Sequence, residues 1–429
     1  MKRVAPQRPA LSEVLTKAGE KGLRESLQLG GEIVRARVAR LSHDRRQVFV
    51  FLSPPLNNSG APLILMKVVQ EFASQYGSAS VRLLAPPPVG EPRERAKVCG
   101  VKVERAAEVL GPTLVRLQLA LRKDDFVLMN TVAVSRNYLE VVLDLVQTGS
   151  LAHAYWYIHE DVDQLPVHAP FLLQPHARST IGRLMEQGQL TIVVPSKTVK
   201  AEYDALFGNA KTRVMPFKMA MDTQHMSPRP LDHYSSVRFL MSGKPTDGRK
   251  GHVVALAAFH EFMKAHYEPD PDTYRPFTLT LVGMTDDFIS EQIRSVGSTV
   301  LGERLKTFAG VPHERSLEIT RNCNAVICCS FNEALPLYVI EGMCSGHIVL
   351  RNRGGGMEEQ LDDGVNGFRI ESTDIRQFAG VLERVLNKRT MPDSRLQTMG
   401  RASQELVARL LIPSYVDALE QARDATTSL

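Results

Sequence analysis

The chain has 429 residues, 43% of them hydrophobic and 23% charged, the balance of a globular protein and not of a disordered or collagenous one. Single cores stop growing at roughly 250–300 residues, so this length predicts two domains or three, with a ligand cleft between them. Net charge is +5, yet residues 1–46 hold eleven Lys/Arg against five Asp/Glu and the remainder sums to −1; the pervasively basic body of a dedicated nucleic-acid binder is excluded.

The first element is a basic segment, 1–46, in which Leu11, Val14, Leu15, Leu23 and Leu27 fall at helical spacing. Such a segment could rest on an anionic membrane surface; a solvated helix packed on the first domain fits it as well. It lacks the apolar run of a secretory signal, and no stretch of about 18 apolar residues occurs anywhere. The expected location is the cytoplasm, or its membrane face. The five cysteines, Cys99, Cys323, Cys328, Cys329 and Cys344, form no CxxC and sit mostly in apolar runs, which predicts buried free thiols.

Beyond 46, short apolar runs alternate with amphipathic stretches, the pattern of parallel sheets covered by helices. Strands are expected near Gln47–Leu52, Val81–Ala85, Val101–Glu104, Asp125–Asn130, Ala154–His159 and Leu190–Val194. After a proline-containing connection, Pro216–Ser236, a second series follows at Val237–Ser242, Thr278–Gly283, Ala325–Cys329 and His347–Leu350. The expected α/β architecture is thus a helical segment 1–46, a Rossmann-like domain 47–220, a second 221–412, and a terminal helix within 413–429.

The most informative stretch runs from Cys328 to Gly346. A buried strand ends there, a short loop carries Glu333, and Pro336 stands where a first helical position tolerates a missing N–H. The free N–H groups of 334–338 would leave the carboxyl end of the sheet, where phosphate binds. Glu341 lies in the same helix, and its carboxylate can accept both hydroxyls of a ribose. Strand Val237–Ser242 runs into Gly243-Lys244 and Gly248-Arg249-Lys250-Gly251, which supplies close backbone approach and three cations.

On these residues, together with Gly355-Gly-Met-Glu-Glu359 and Asp363-Gly-Val-Asn-Gly367, the chain resembles the group 1 family of retaining GT-B glycosyltransferases, continuously over about 237–370 and more loosely before. The resemblance implies two Rossmann-like domains facing a cleft, and a hexosyl transfer from a nucleotide sugar, UDP- or GDP-linked, in glycan biosynthesis. It needs no cofactor and no metal. Lys244 and Lys250 would bind the diphosphate, Glu341 the ribose and Glu333 the donor sugar, with the amides of Ala334, Leu335 and Leu337 around Pro336 completing the cradle. The family usually has Arg where Lys244 stands, one residue nearer the second cation, so Arg249 is a candidate substitute. In the first domain, Gly60 would serve the loop beside the phosphates and His159 would lie near the reacting sugar. The acceptor would be a saccharide, a lipid-linked glycan or a protein; no nucleic-acid partner is implied.

Three other patterns are weaker. Asp161-Val-Asp163 imitates the metal-binding DxD of a different glycosyltransferase architecture. Gly243-x4-Gly248 imitates a P-loop but lacks Lys directly after the second glycine and the Ser/Thr that follows it. No GxGxxG follows the first strand. A nucleotide-sugar epimerase or hydrolase, or a non-catalytic nucleotide-sugar scaffold, remain the alternative functions.

Overall fold

The computed structural model describes residues 47–56, 60–86, 97–98, 100–106, 112–208, 211–218 and 230–427; the basic segment 1–46 lies outside them. Two sheets organise the chain. The first contains β1 (Phe49–Leu52), β2 (Val81–Ala85), β3 (Lys97–Val98), β4 (Val101–Arg105), β5 (Phe126–Asn130), β6 (Ala154–Tyr157), β7 (Leu190–Val194) and β8 (Arg213–Val214), in the order β3-β4-β2-β1-β5-β6-β7-β8. All its neighbours run parallel except the β3–β4 edge pair.

The second sheet contains β9 (Val237–Ser242), β10 (Phe277–Met284), β11 (Leu305–Ala309), β12 (Ala325–Cys328), β13 (Ile348–Arg351) and β14 (Gly367–Arg369), all parallel, in the order β11-β10-β9-β12-β13-β14. Written from its first strand this is 3-2-1-4-5-6, the doubly wound order, in which the chain reverses direction beside the first strand and opens a crevice at the carboxyl ends. The reversal lies between β1 and β5 in one sheet and between β9 and β12 in the other. Each sheet therefore has a switch point at the carboxyl ends of its strands, the place where such folds hold ligands.

Burial explains the strands. Phe49–Leu52, Ala154–Tyr157, Leu190–Val194, Ala325–Cys328 and Ile348–Arg351 are buried along their whole length, as expected where helices cover both faces. The amphipathic helix Ile375–Leu386 covers the second sheet with Phe378, Leu382, Val385 and Leu386. Each such side chain contributes roughly 1.5–3 kcal/mol of transfer free energy. Helix Lys197–Phe207 is capped at its start by Ser196, which accepts from Val199 N, and ends at Gly208 in the left-handed region.

Some elements differ from the sequence expectation. The Asp363–Gly367 turn runs into a three-residue strand, β14, and β11 is an edge strand with no fully buried position. Neither offers the continuous apolar run that marked the others. Pro336 caps the helix Leu337–Cys344 and does not occupy its first position. The terminal helix, expected from about Pro413, spans Tyr415–Thr427 and packs on the first domain. Glu71 fixes it there, accepting from Ser414 Oγ (2.6 Å) and Val416 N (3.2 Å) while pairing with Lys218 (2.6 Å). Cys323, Cys328, Cys329 and Cys344 are buried thiols outside any disulfide; Cys99 lies outside the described residues.

Candidate active site

The loop after β9 and the loop after β12 meet at the second switch point. Gly251 makes this approach possible: it lies at φ +72°, and a Cβ there would come within 2.7 Å of both Cβ and O of Cys329. Phe331 N donates to Arg249 O (3.1 Å), tying the loops together. Across this junction Lys250 forms an ion pair with Glu333, whose carboxylate also accepts from Ser330 Oγ (3.0 Å). The Lys250 stem lies against Gly243, where an added Cβ would meet it at 3.1 Å.

Arg249 is committed otherwise. It pairs with Asp247 (2.9 Å) and donates to Asn332 O (3.1 Å), so it braces both loops. Burial raises the Asp247 carboxyl, but the hydrogen bond and charge of Arg249 outweigh it and hold the group below its usual range. Lys244 is exposed on the same loop. The structure therefore brings Lys250, and not Lys244, to Glu333.

Ala334, Leu335 and Pro336 are buried, and Ala334 packs with the core of the first domain. Val339 N and Ile340 N close onto Pro336 O, whereas Leu337 N and Tyr338 N are the first of the helix and have no intrahelical acceptor. Glu341, 5% exposed, is held by His313 Nε2 at 2.8 Å. Lys67, on the first-domain helix Gly60–Tyr76, faces Glu341 and Cys344; burial lowers its pKa more than their charge raises it. Gly60 is the exposed first residue of that helix, and a Cβ there would meet nothing.

The first domain contributes the ends of β5 and β6. His159 Nε2 meets Asn130 Oδ1 at 3.0 Å, and its ring centroid lies 4.1 Å from that of Tyr157 and 6.3 Å from that of Phe217. Burial lowers His159 to a pKa of about 3, so the imidazole is neutral. Beside it, Glu160 accepts from the Thr131 hydroxyl, Val132 N (3.2 Å) and His159 N (3.2 Å). Burial raises its pKa against those bonds. Thr131 lies at φ +64°, a conformation that costs a β-branched residue of order 1–3 kcal/mol and persists only when its surroundings impose it.

Direct bonds close the two walls. Glu359 accepts from Lys197 N (2.5 Å) and Thr198 N (3.2 Å), the first turn of a first-domain helix. Asn332 Nδ2 donates to Asp163 (3.0 Å). A Cβ at Gly356 would overlap Ala334 O and Ser196 Oγ, so only glycine fits between the domains there. Asp163 thus serves the interface, and Asp161 accepts from Gln164 (2.7 Å). Among the described residues no group of three or more His, Cys, Asp or Glu is placed to hold a metal ion, and no helix is long and apolar enough to cross a membrane.

Reasoning from sequence missed Asn130, Thr131, His313 and the interdomain role of Glu359. Asn130, Thr131 and His313 sit at strand or helix ends without a charge cluster or glycine signal; Glu359 belongs to the Gly355–Glu359 motif, but its partner Lys197 is 162 residues away.

Two Rossmann-like domains with facing switch points define a GT-B-type fold. Residues 232–405 match the family described as glycosyl transferases group 1. The chain is 25% identical over 185 residues to a D-inositol 3-phosphate glycosyltransferase of Acidothermus cellulolyticus, and 28% identical over 177 residues to one of Corynebacterium diphtheriae. These matches span 42% and 40% of this chain and only 40% and 38% of those relatives. Among solved structures, Anabaena Alr3699/HepE in complex with UDP superposes with a TM-score of 0.66 at 15% identity, covering 90% of this chain and all of that one. Sucrose-phosphate synthase from Thermosynechococcus elongatus gives 0.63 at 16% identity, covering 89% and 98%.

Proposed function

We propose that the chain is a retaining glycosyltransferase that moves a sugar from a nucleotide diphosphate sugar to an acceptor without a metal ion. The observation that carries this reading is the Lys250–Glu333 pair beside the open N–H groups of Leu337 and Tyr338, at the switch point of the second sheet. A diphosphate placed there meets a cation and a helix N-terminus, the two features that attract phosphate. Glu341, one turn further along, would accept the ribose hydroxyls with the oxygen that His313 leaves free.

Glycosyl transfer passes through an oxocarbenium-like state while charge grows on the leaving diphosphate. Lys250 and the helix amides would stabilise that charge. Glu333 would hold the Lys250 ammonium toward the phosphates and accept from the sugar hydroxyls, and the neutral His159 would face the sugar from the other wall. The closed interface through Glu359 and Asn332 would exclude water, whose attack is the competing hydrolysis. The Anabaena neighbour was solved with UDP and with UDP-glucose, which makes UDP-linked donors the first to try and keeps GDP-linked ones second.

The test is a turnover assay in EDTA with a panel of nucleotide sugars and acceptors, saccharide, lipid-linked and inositol phosphate included. Release of nucleoside diphosphate only with acceptor supports transfer. Release without acceptor would support a hydrolase, and loss of activity in EDTA would overturn the metal-free mechanism.

A further inference from the structure

The carboxamide of Asn130 is fully buried at the end of β5 and makes two hydrogen bonds that constrain each other. Its Nδ2 lies 3.3 Å from Ala61 O, and its Oδ1 lies 3.0 Å from His159 Nε2. A backbone carbonyl can only accept, so the Asn130 amide must turn its N–H toward Ala61. Its oxygen then faces the imidazole, and an oxygen can only accept there. The shared proton must therefore sit on His159 Nε2. Burial keeps the ring neutral, so its second nitrogen carries no proton.

We propose that Asn130 is a positioning residue: through its bond to Ala61 it holds His159 in the Nε2–H tautomer and leaves Nδ1 as an acceptor only. A group that reaches Nδ1 must then be a donor, which selects a hydroxyl over a carbonyl or a phosphate oxygen. Identifying that hydroxyl as one of the transferred sugar's rests on the proposed glycosyl transfer; the tautomer itself does not. Ala61 belongs to the first turn of the helix that starts at Gly60. The amide thus couples the geometry of the loop after β1 to the hydrogen-bonding state of the histidine after β6. The Tyr157 ring packs against the imidazole, and Glu160 accepts from His159 N.

The direct test is nitrogen NMR of the full chain labelled with 15N-histidine at pH 7, with His159 assigned from the signal lost in His159→Gln. The wild type is expected to show a pyrrole-type Nε2 and a pyridine-type Nδ1. Asn130→Ala should move both shifts toward the tautomer average. Asn130→Ala should also lower kcat/KM by roughly tenfold to a hundredfold while UDP affinity stays within twofold, because the diphosphate groups lie on the other domain. A wild-type ring protonated at Nδ1, or an Asn130→Ala spectrum identical to the wild type, would overturn the assignment, and the assigned wild-type spectrum decides even if Asn130→Ala fails to fold. Should no nucleotide sugar turn over, the transfer reaction falls while the ring spectrum still settles the tautomer.

Discussion

The two walls of the crevice are built by opposite means. The second-domain wall carries charge: Lys250 against Glu333, Arg249 against Asp247, and Glu341 against His313. The first-domain wall is a hydrogen-bonded network at the ends of β5 and β6, in which buried Asn130 meets the half-buried, neutral His159 and buried Thr131 donates to Glu160, whose pKa burial raises. Charge suits a leaving diphosphate, whereas neutral, oriented groups suit a sugar, whose hydroxyls are read by direction. The difference gives each wall its own expected response to mutation.

The largest effect should come from the charged wall. Lys250→Ala removes the cation facing the diphosphate and is expected to lower kcat by roughly 10²–10³-fold, the usual cost of one oxyanion donor. Lys244→Ala, on the exposed side of the same loop, should change kcat less than threefold. Equal losses in the two variants, read by nucleoside diphosphate release, would erase the distinction drawn between these lysines. Next comes Glu341→Ala, which should weaken nucleoside diphosphate binding by roughly tenfold to a hundredfold, the range for a hydrogen bond to a charged group. Calorimetric titration measures it, and unchanged affinity would remove the ribose from that site.

The neutral wall should respond to acid. Burial holds His159 of this wall at about 3 and, outside it, His153 ahead of β6 and His252 in the second domain at about 4, against 6.5 for the free side chain. Between those values and 6.5 the unfolded chain binds protons that the folded chain refuses, so stability is lost as pH falls. Each fully discriminated proton contributes up to about 1.4 kcal/mol per pH unit. Urea unfolding at pH 7 and pH 5 should show the loss, and His159→Gln should reduce it; a stability independent of pH over that window would contradict neutral burial. The smallest effect concerns the junction of the walls. Glu359→Ala removes the acceptor of Lys197 N and Thr198 N while leaving the Ser196 cap of helix Lys197–Phe207 in place, and should cost about 1 kcal/mol, read as a lower urea midpoint, with an increased share of hydrolysis over transfer.

What could be read beforehand follows the same division. Strands β2, β7 and β9 fall where the sequence places them to the residue, since each is an apolar run between helical patterns. Glu333, Lys250 and Glu341 were legible because charge and glycine near a strand end leave a local pattern. Asn130 and Thr131 were not: a polar residue at the end of an apolar strand carries no site pattern of its own, and only the fold shows that His159, 29 residues on, meets the Asn130 amide. The preference for Lys250 over Lys244 was equally out of reach, because it depends on which side of one loop each stem leaves. His313 meets Glu341 from a neighbouring helix, a contact no spacing encodes.

The central claim is that the charged wall receives a nucleoside diphosphate. It is tested most directly by the Tm of the full chain against UDP, GDP, ADP, CDP and dTDP in EDTA, with Lys250→Ala and Glu341→Ala alongside. A ligand at about 100 times its Kd adds about 2.7 kcal/mol to the folded state. At least one nucleotide is therefore expected to raise the wild-type Tm by several degrees and the variants' Tm by much less. No shift with any nucleotide at millimolar concentration, or an equal shift in wild type and variants, would contradict the claim.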